Sequence, residues 1–213
     1  MLYPAMLNIT GKKAVVVGGG PVAARKVRSL AAAGAQIEVI SPEVSEAMSQ
    51  LLGCNGVRWL RKEFSPSDLV GAFIIIAATN SRETNQLVNK STSPHQLVNL
   101  ADDPEESSFI VPASFQKNKL SIAVSTHGAS PALSKRIVQE LREQFDDEYI
   151  SYLSFLDKCR AAIKQSFSDP SIRQLVFKEL ASPAFEKRAK VASCSEREQL
   201  LEEVLTDWRE NNE

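Results

Sequence analysis

Gly18, Gly20 and Ala23 stand at the spacing G-x-G-x-x-A, directly after the apolar run Ala14–Val17. Residues of these types at this spacing can hold a pyrophosphate. The first glycine permits a tight turn, and the second lets the backbone approach the phosphates. The small third residue keeps the following helix close to the strand. That helix turns its free N–H groups and the positive end of its dipole toward the anion. Gly18, Gly20, Pro21, Val22 and Ala23 are therefore the expected cofactor-binding residues of this turn. The same motif also occurs as a plain βα turn without a cofactor. Here it follows a strand pattern, opens a helix and lies within a βαβ unit, which favours a dinucleotide.

Other residues with chemistry follow along the chain. NAD-binding folds often place an acid at the end of the second strand to hold the ribose hydroxyls. This strand ends Ile40-Ser41-Pro42, and Glu43 is the first acid after it. Glu38 lies inside the strand and is expected to point elsewhere. Either Glu43 or the backbone groups of Ser41 and Pro42 are therefore expected to hold the ribose. No Arg follows at once to accommodate a 2′-phosphate, which favours NAD over NADP. Thr79-Asn80 ends an apolar strand at the edge where cofactors lie in such sheets. These two serve either the cofactor or the turn itself. Val98–Pro104 leaves another strand with two adjacent acids, Asp102 and Asp103. Ala123–Pro131 reads as a strand followed by a polar helix entry, which also suits an anion. Within it His127 is a proton carrier, a transient ligand or an ordinary loop residue. His95 precedes a strand and reads as surface. No group of His, Cys and carboxylates has the spacing of a permanent metal site.

These residues need a scaffold. The first ~113 residues alternate strand and helix signals, as expected of a parallel sheet covered on both faces. Strands are expected over 13–18, 36–40, 57–61 and 96–100, with the apolar run 72–78 as a central strand. Helices are expected over 22–33, stopped by Gly34, and over 43–52 and 82–90. Two further strands, 108–113 and 119–125, should be joined by a turn around Lys117-Asn118. Ser130-Pro131 then opens a helix to about residue 145. Beyond it the pattern is helical, with starts at Asp169-Pro170 and Ser182-Pro183. Ser195-Glu196-Arg197-Glu198 reads as a capping box. The expected fold class is α/β, a Rossmann-type parallel sheet followed by a small α+β unit and a helical C-terminal region. The expected domains are 1–113, 114–147 and 148–213.

Composition narrows the function classes. The chain has 213 residues, 43% apolar and 24% charged, the balance of a globular protein. A net charge of −1 argues against a nucleic-acid or anionic-membrane surface. No apolar run approaches the ~20 residues of a membrane span, and the N-terminus lacks the pattern of a secretory signal. Cys54, Cys159 and Cys194 are too far apart for a zinc site or a disulfide framework, which points to a reducing cytoplasm.

Several segments together resemble a known family. They are Val17–Lys26, Ala77–Asn80, Asn99 with Asp102 and Pro104, Ser108–Pro112 and Ser125–Pro131. In order and spacing they resemble precorrin-2 dehydrogenase, also known as the N-terminal module of siroheme synthase. The resemblance covers roughly residues 1–145. The tail beyond it is similar only in being helical. The resemblance implies NAD-dependent oxidation of precorrin-2 to sirohydrochlorin, by a homodimer that uses residues 114–147 to dimerise. Some family members also insert iron, and a bifunctional version would add ferrochelation at the same cleft. Asp102 falls on the family's catalytic aspartate, where it would act as a general base. Asp103 is expected to be a turn residue. Thr126, His127 and Ser130 fall at the substrate site. Thr126 stands where some relatives have serine, and His127 where some have glycine. An octacarboxylate substrate calls for cations, with Arg25, Lys26, Lys117, Lys119, Lys135 and Arg136 as candidates. No C-terminal methyltransferase module is expected, since the chain ends at Glu213. Two other readings stand beside this one. The first is an NAD(H)-sensing regulatory module without catalysis. The second is a different NAD(P) oxidoreductase with a helical cap.

Overall fold

Continuous apolar runs, buried on both faces, decide the first unit. In the computed structural model, which describes residues 2–53 and 56–210, this unit runs Met1–Val111. Its five strands are β1 (Lys13–Val17), β2 (Gln36–Ile40), β3 (Val57–Leu60), β4 (Ile74–Ala77) and β5 (Leu97–Leu100). All pair in parallel, in the order β3-β2-β1-β4-β5. Every parallel connection needs a crossover, and the crossovers cover both faces. Helix α1 (Pro21–Ala32) buries Ala23, Ala24 and Val27 against Val16, Val39 and Ile76. The odd-numbered neighbours Val15, Val17 and Ile75 face the other way, with Val88 of helix α3 (Arg82–Lys90). Burying each such side chain contributes roughly 1.5–3 kcal/mol, so both faces are energetically committed.

Pro21 takes the first turn of α1, where its missing N–H costs nothing. Gly34 stops it in the left-handed region, at φ +78°. Helix α2 is shorter than expected, Glu46–Ser49 rather than 43–52. Its N-cap is Ser45, whose hydroxyl accepts the Met48 N–H. Residues 41–45 cannot join the helix because they are pinned elsewhere. The Ser41 hydroxyl donates to the Glu43 carbonyl at 2.6 Å, and the Ser45 N–H donates to the Gly19 carbonyl at 2.8 Å.

The second unit runs Pro112–Glu213. It opens with an antiparallel hairpin, β6 (Ala113–Lys117) and β7 (Leu120–Val124). The first strand thus begins where 108–113 was expected to end. Ser108 is held instead by β5, through bonds to both the N–H and the carbonyl of Val98. The turn is Asn118-Lys119, with Asn118 at φ +52°, a conformation Asn tolerates better than most residues. Helix α4 (Pro131–Gln144) packs on both strands.

Helices α5 (Asp147–Ser166), α6 (Pro170–Leu180), α7 (Pro183–Val191) and α8 (Cys194–Glu210) enclose a separate core. Tyr152, Phe155, Ile163, Val176, Phe185 and Val204 belong to it. The capping box of α8 lies two residues before the expected one. The Ser193 hydroxyl accepts the Glu196 N–H, and the Glu196 carboxylate accepts the Ser193 N–H at 2.7 Å. Hydrogen bonding of the Glu196 carboxylate, first with the Ser193 side chain and then with the Ser193 N–H, holds the Glu196 carboxyl below the usual carboxylate range. The hairpin turn is fastened to α5 by Asn118 Nδ2 donating to Ser154 Oγ at 2.9 Å and by a Lys119–Asp157 ion pair. No helix among the described residues is long and apolar enough to cross a membrane.

Candidate active site

The strand order places a topological switch between β1 and β4. Chain runs from β1 outward through β2 and β3 on one side, and through β4 and β5 on the other. Ligands of open α/β sheets sit at the carboxyl edge over such a switch. The turns at Gly18, Thr79 and Asp102 all lie on that edge.

Each of the three glycines after β1 has its own physical reason. Gly18 sits at φ +123°, and an added Cβ would come 2.3 Å from the Ala78 carbonyl oxygen. A Cβ on Gly19 would stand 2.0 Å from the Glu43 carbonyl oxygen and 2.8 Å from Ser41 Oγ. Gly20 differs, since a Cβ there would meet nothing within 4 Å. It is the N-cap of α1, no side chain caps the helix, and its first turn carries no acid. Four N–H groups of a helix start ordinarily need partners, and Pro21 removes one of them. The result is an uncapped helix N-terminus with open space in front of it. Ala23 is fully buried and Val22 is 40% exposed, so the helix lies tight on the sheet while its tip stays open. These features fit the pyrophosphate of a dinucleotide.

Beyond β2 the chain is braced by β3. Trp59 Nε1 donates to the Ser41 carbonyl at 2.9 Å, and Arg61 Nε donates to the Pro42 carbonyl at 3.2 Å. The sequence shows no arginine next to Ser41, but parallel pairing of β2 with β3 puts one there. Glu38 points elsewhere, as expected, and pairs with Lys13 at 2.9 Å.

Thr79 is shaped by a residue that sequence reasoning missed. Asn85 of α3 is only 1% exposed. Its Oδ1 accepts from the Thr79 hydroxyl at 2.8 Å and from the Thr79 N–H at 3.2 Å. Its Nδ2 donates to the Thr79 carbonyl at 3.3 Å. The Thr79 hydroxyl is thereby absorbed by its own turn, and Asn80 is exposed beside it. The available signal was a polar residue on the apolar face of a short helix.

Asp102 follows β5 directly, after the Ala101 N–H bonds to the Ala77 carbonyl at 2.9 Å. It is exposed. Asp103 is a turn residue, with its carboxylate accepting the Glu106 N–H and its carbonyl accepting the Ser107 hydroxyl. Asn99 is buried on the face of the sheet that carries α1, and its Nδ2 donates to the Phe109 carbonyl at 3.0 Å.

In the second unit the hydroxyls at the start of α4 are largely occupied. Thr126 Oγ1 donates to the Ser130 carbonyl and accepts the Ser130 N–H, both at 3.0 Å, and lies 3.1 Å from Ser134 Oγ. Ser130 Oγ accepts the Leu133 N–H. His127 is exposed, in the left-handed region at φ +53° that glycine occupies without cost. Among the candidate cations, Lys117, Lys119 and Arg136 are paired with Asp147, Asp157 and Glu140. Lys26 has its ammonium pushed below the usual lysine range, first by burial and then by Arg25. Among the described residues no three His, Cys, Asp or Glu come together as a metal-binding group.

Comparison with known proteins identifies the family. A family model described as putative NAD(P)-binding covers residues 5–113. The chain is 37% identical over 162 residues to a precorrin-2 dehydrogenase of Priestia megaterium, covering 76% of this chain and 80% of the relative. The chain belongs to the precorrin-2 dehydrogenase family. A family member of Bacillus subtilis is 30% identical, over 75% of this chain and 98% of that protein. A solved precorrin-2 dehydrogenase structure, SirC, shares the fold with a TM-score of 0.79 and 32% identity, covering 95% of this chain and 98% of that one. Models described as the sirohaem biosynthesis protein central region and the SirC C-terminal domain match residues 117–144 and 149–191. A siroheme synthase of Aeromonas hydrophila is 33% identical, but the chain spans only 38% of its length.

Proposed function

We propose that this chain oxidises precorrin-2 to sirohydrochlorin, with NAD as the oxidant, in siroheme biosynthesis. The observation that carries this reading is the alignment of the Gly18 turn, the Thr79 turn and Asp102 on one carboxyl edge of a precorrin-2 dehydrogenase fold. When bound, NAD supplies the acceptor for a hydride. The chain's own residues do the rest. Gly18, Gly20, Pro21, Val22 and Ala23 hold the pyrophosphate on the start of α1. Ser41, Pro42 and Glu43 hold the adenosine ribose. Thr79 and Asn80 line the edge between them and β5.

Converting the tetrapyrrole to sirohydrochlorin removes one hydride and one proton. Asp102 is two strand spacings from β1, roughly 10 Å, on the same carboxyl edge as the Gly18 turn. Its exposed carboxylate accepts the proton. Thr126, His127 and Ser130, at the start of α4, are the proposed substrate-binding residues of the second unit. There the helix N-terminus favours a substrate carboxylate, and His127 is the side chain of the three not consumed by capping. Residues 1–113 bind the cofactor, 114–147 dimerise and 148–213 form the helical part of a cytoplasmic homodimer.

The test is turnover. Purified protein, precorrin-2 and NAD should yield NADH and the sirohydrochlorin spectrum together. Folded protein that binds NAD yet forms neither refutes the catalytic reading and leaves a sensing module. Sedimentation at micromolar concentration should give twice the chain mass, and a monomer would remove the dimer from the reading.

A further inference from the structure

The end of β3 bears on which dinucleotide the site accepts. Rossmann sheets discriminate against NADP chiefly through an acid at the end of the second strand, which holds the ribose hydroxyls and repels a 2′-phosphate. Here that position is Ser41, and its hydroxyl is turned away onto the Glu43 carbonyl at 2.6 Å. The charge beside this loop has the opposite sign. Arg61 is exposed, and its guanidinium carbon lies 5.8 Å from the centroid of the Trp59 ring. Its Nε is spent on the Pro42 carbonyl at 3.2 Å. The ring itself is fixed by Trp59 Nε1 on the Ser41 carbonyl at 2.9 Å.

Arg61 is therefore anchored at one nitrogen and shelved on a ring, with both terminal nitrogens left over. It forms no ion pair among the described residues. Its neighbour Lys62, by contrast, is neutralised by Asp68 at 2.6 Å. A pre-positioned guanidinium fork of this kind matches a phosphate bidentately. Glu43 is the acid in the same loop that opposes it. Its backbone oxygen is fixed against Gly19, and its side chain is exposed.

We infer that Arg61 is a specificity-determining residue that receives the 2′-phosphate of NADP, so that this chain binds NADP as well as NAD. The inference rests on the dinucleotide reading of the Gly18 turn. Binding of NAD and of NADP to the full chain should be measured separately by calorimetry, with 2′,5′-ADP and 5′-AMP as probes of the adenosine end alone. Wild type should bind the two dinucleotides within about tenfold of one another. Replacing a charged hydrogen-bonding partner typically costs roughly ten- to a hundredfold. Arg61→Ala should lose about that much for NADP and 2′,5′-ADP, and less than about threefold for NAD and 5′-AMP. Arg61→Lys should restore part of the loss. Arg61 is at the surface, and circular dichroism checks that the variants fold. NAD binding without NADP binding in wild type overturns this inference and leaves the NAD reading intact. So does an equal loss of both dinucleotides in Arg61→Ala. Failure of wild type to bind either overturns the dinucleotide reading and this inference with it.

Discussion

Asp102 and Asn85 show how differently two polar residues on one edge can act. Asp102 is exposed and stands at the end of a strand whose neighbours are fixed, so its carboxylate is displayed rather than packed. Asp102→Asn keeps the shape and removes the proton acceptor. In steady-state assays kcat should fall by about a hundredfold or more, with the NAD dissociation constant changed less than about twofold. A wild-type rate would remove Asp102 from the role of base. Asn85 is buried and makes three bonds to Thr79. Asn85→Ala leaves the Thr79 N–H unpartnered and loosens the turn against which Gly18 packs. Chemical denaturation should show a loss of about 1–3 kcal/mol, and NAD affinity should fall by more than the substrate KM changes. Unaltered NAD affinity in a destabilised variant would mean that Asn85 serves stability alone. Asp102 was legible in the sequence through the segment around it. Asn85 was not, because only the fold shows which face of α3 lies under the sheet edge.

The tip of α1 separates stability from binding. At Gly20 a side chain has space, and aspartate is among the better N-caps. Gly20→Asp should therefore match or slightly exceed wild type in thermal stability, while NAD binding is lost to the added charge and bulk. Gly19→Ala should behave in the reverse sense. Its Cβ would meet a backbone oxygen at 2.0 Å, so the 41–45 loop must move and the melting temperature should drop. A stable Gly19→Ala protein would contradict this packing argument. Most elements were legible because proline and capping residues mark their starts. Asp169-Pro170, Ser182-Pro183 and Ser130-Pro131 all open helices. The errors came where tertiary bonds compete with local signals. Ser41-Pro42-Glu43 carries a helix-start pattern, yet β3 and Arg61 claim its backbone and the Gly19 carbonyl takes the Ser45 N–H. Ser108–Pro112 has strand composition, but β5 captures Ser108 and the hairpin starts later.

At the scale of the molecule, the helical core of the second unit has its own alkaline limit. Burial pushes the Cys159 thiol from 9.0 up to about 12. Burial, with Glu186, Tyr149 and Cys159 nearby, pushes the Tyr152 phenol from 10.0 up to about 12. Below pH 9 both groups are protonated whether folded or unfolded, and their contribution is fully present. Between the unfolded values and about 12 the unfolded chain releases protons that the folded core retains, so stability falls as pH rises. The urea midpoint followed by circular dichroism should drop between about pH 9 and about pH 12, and Tyr152→Phe should flatten the drop. A midpoint independent of pH there would contradict the burial argument. The sequence by itself determined the parallel sheet, the glycine turn and the placement of Asp102 after a strand. Apolar period and turn chemistry are local, and each is written in consecutive residues. Only the tertiary structure decided that Asn85 braces Thr79, that Gly19 must be bare and that Arg61 reaches the loop after β2. These depend on strand order, which brings together residues dozens of positions apart and leaves no trace in local spacing.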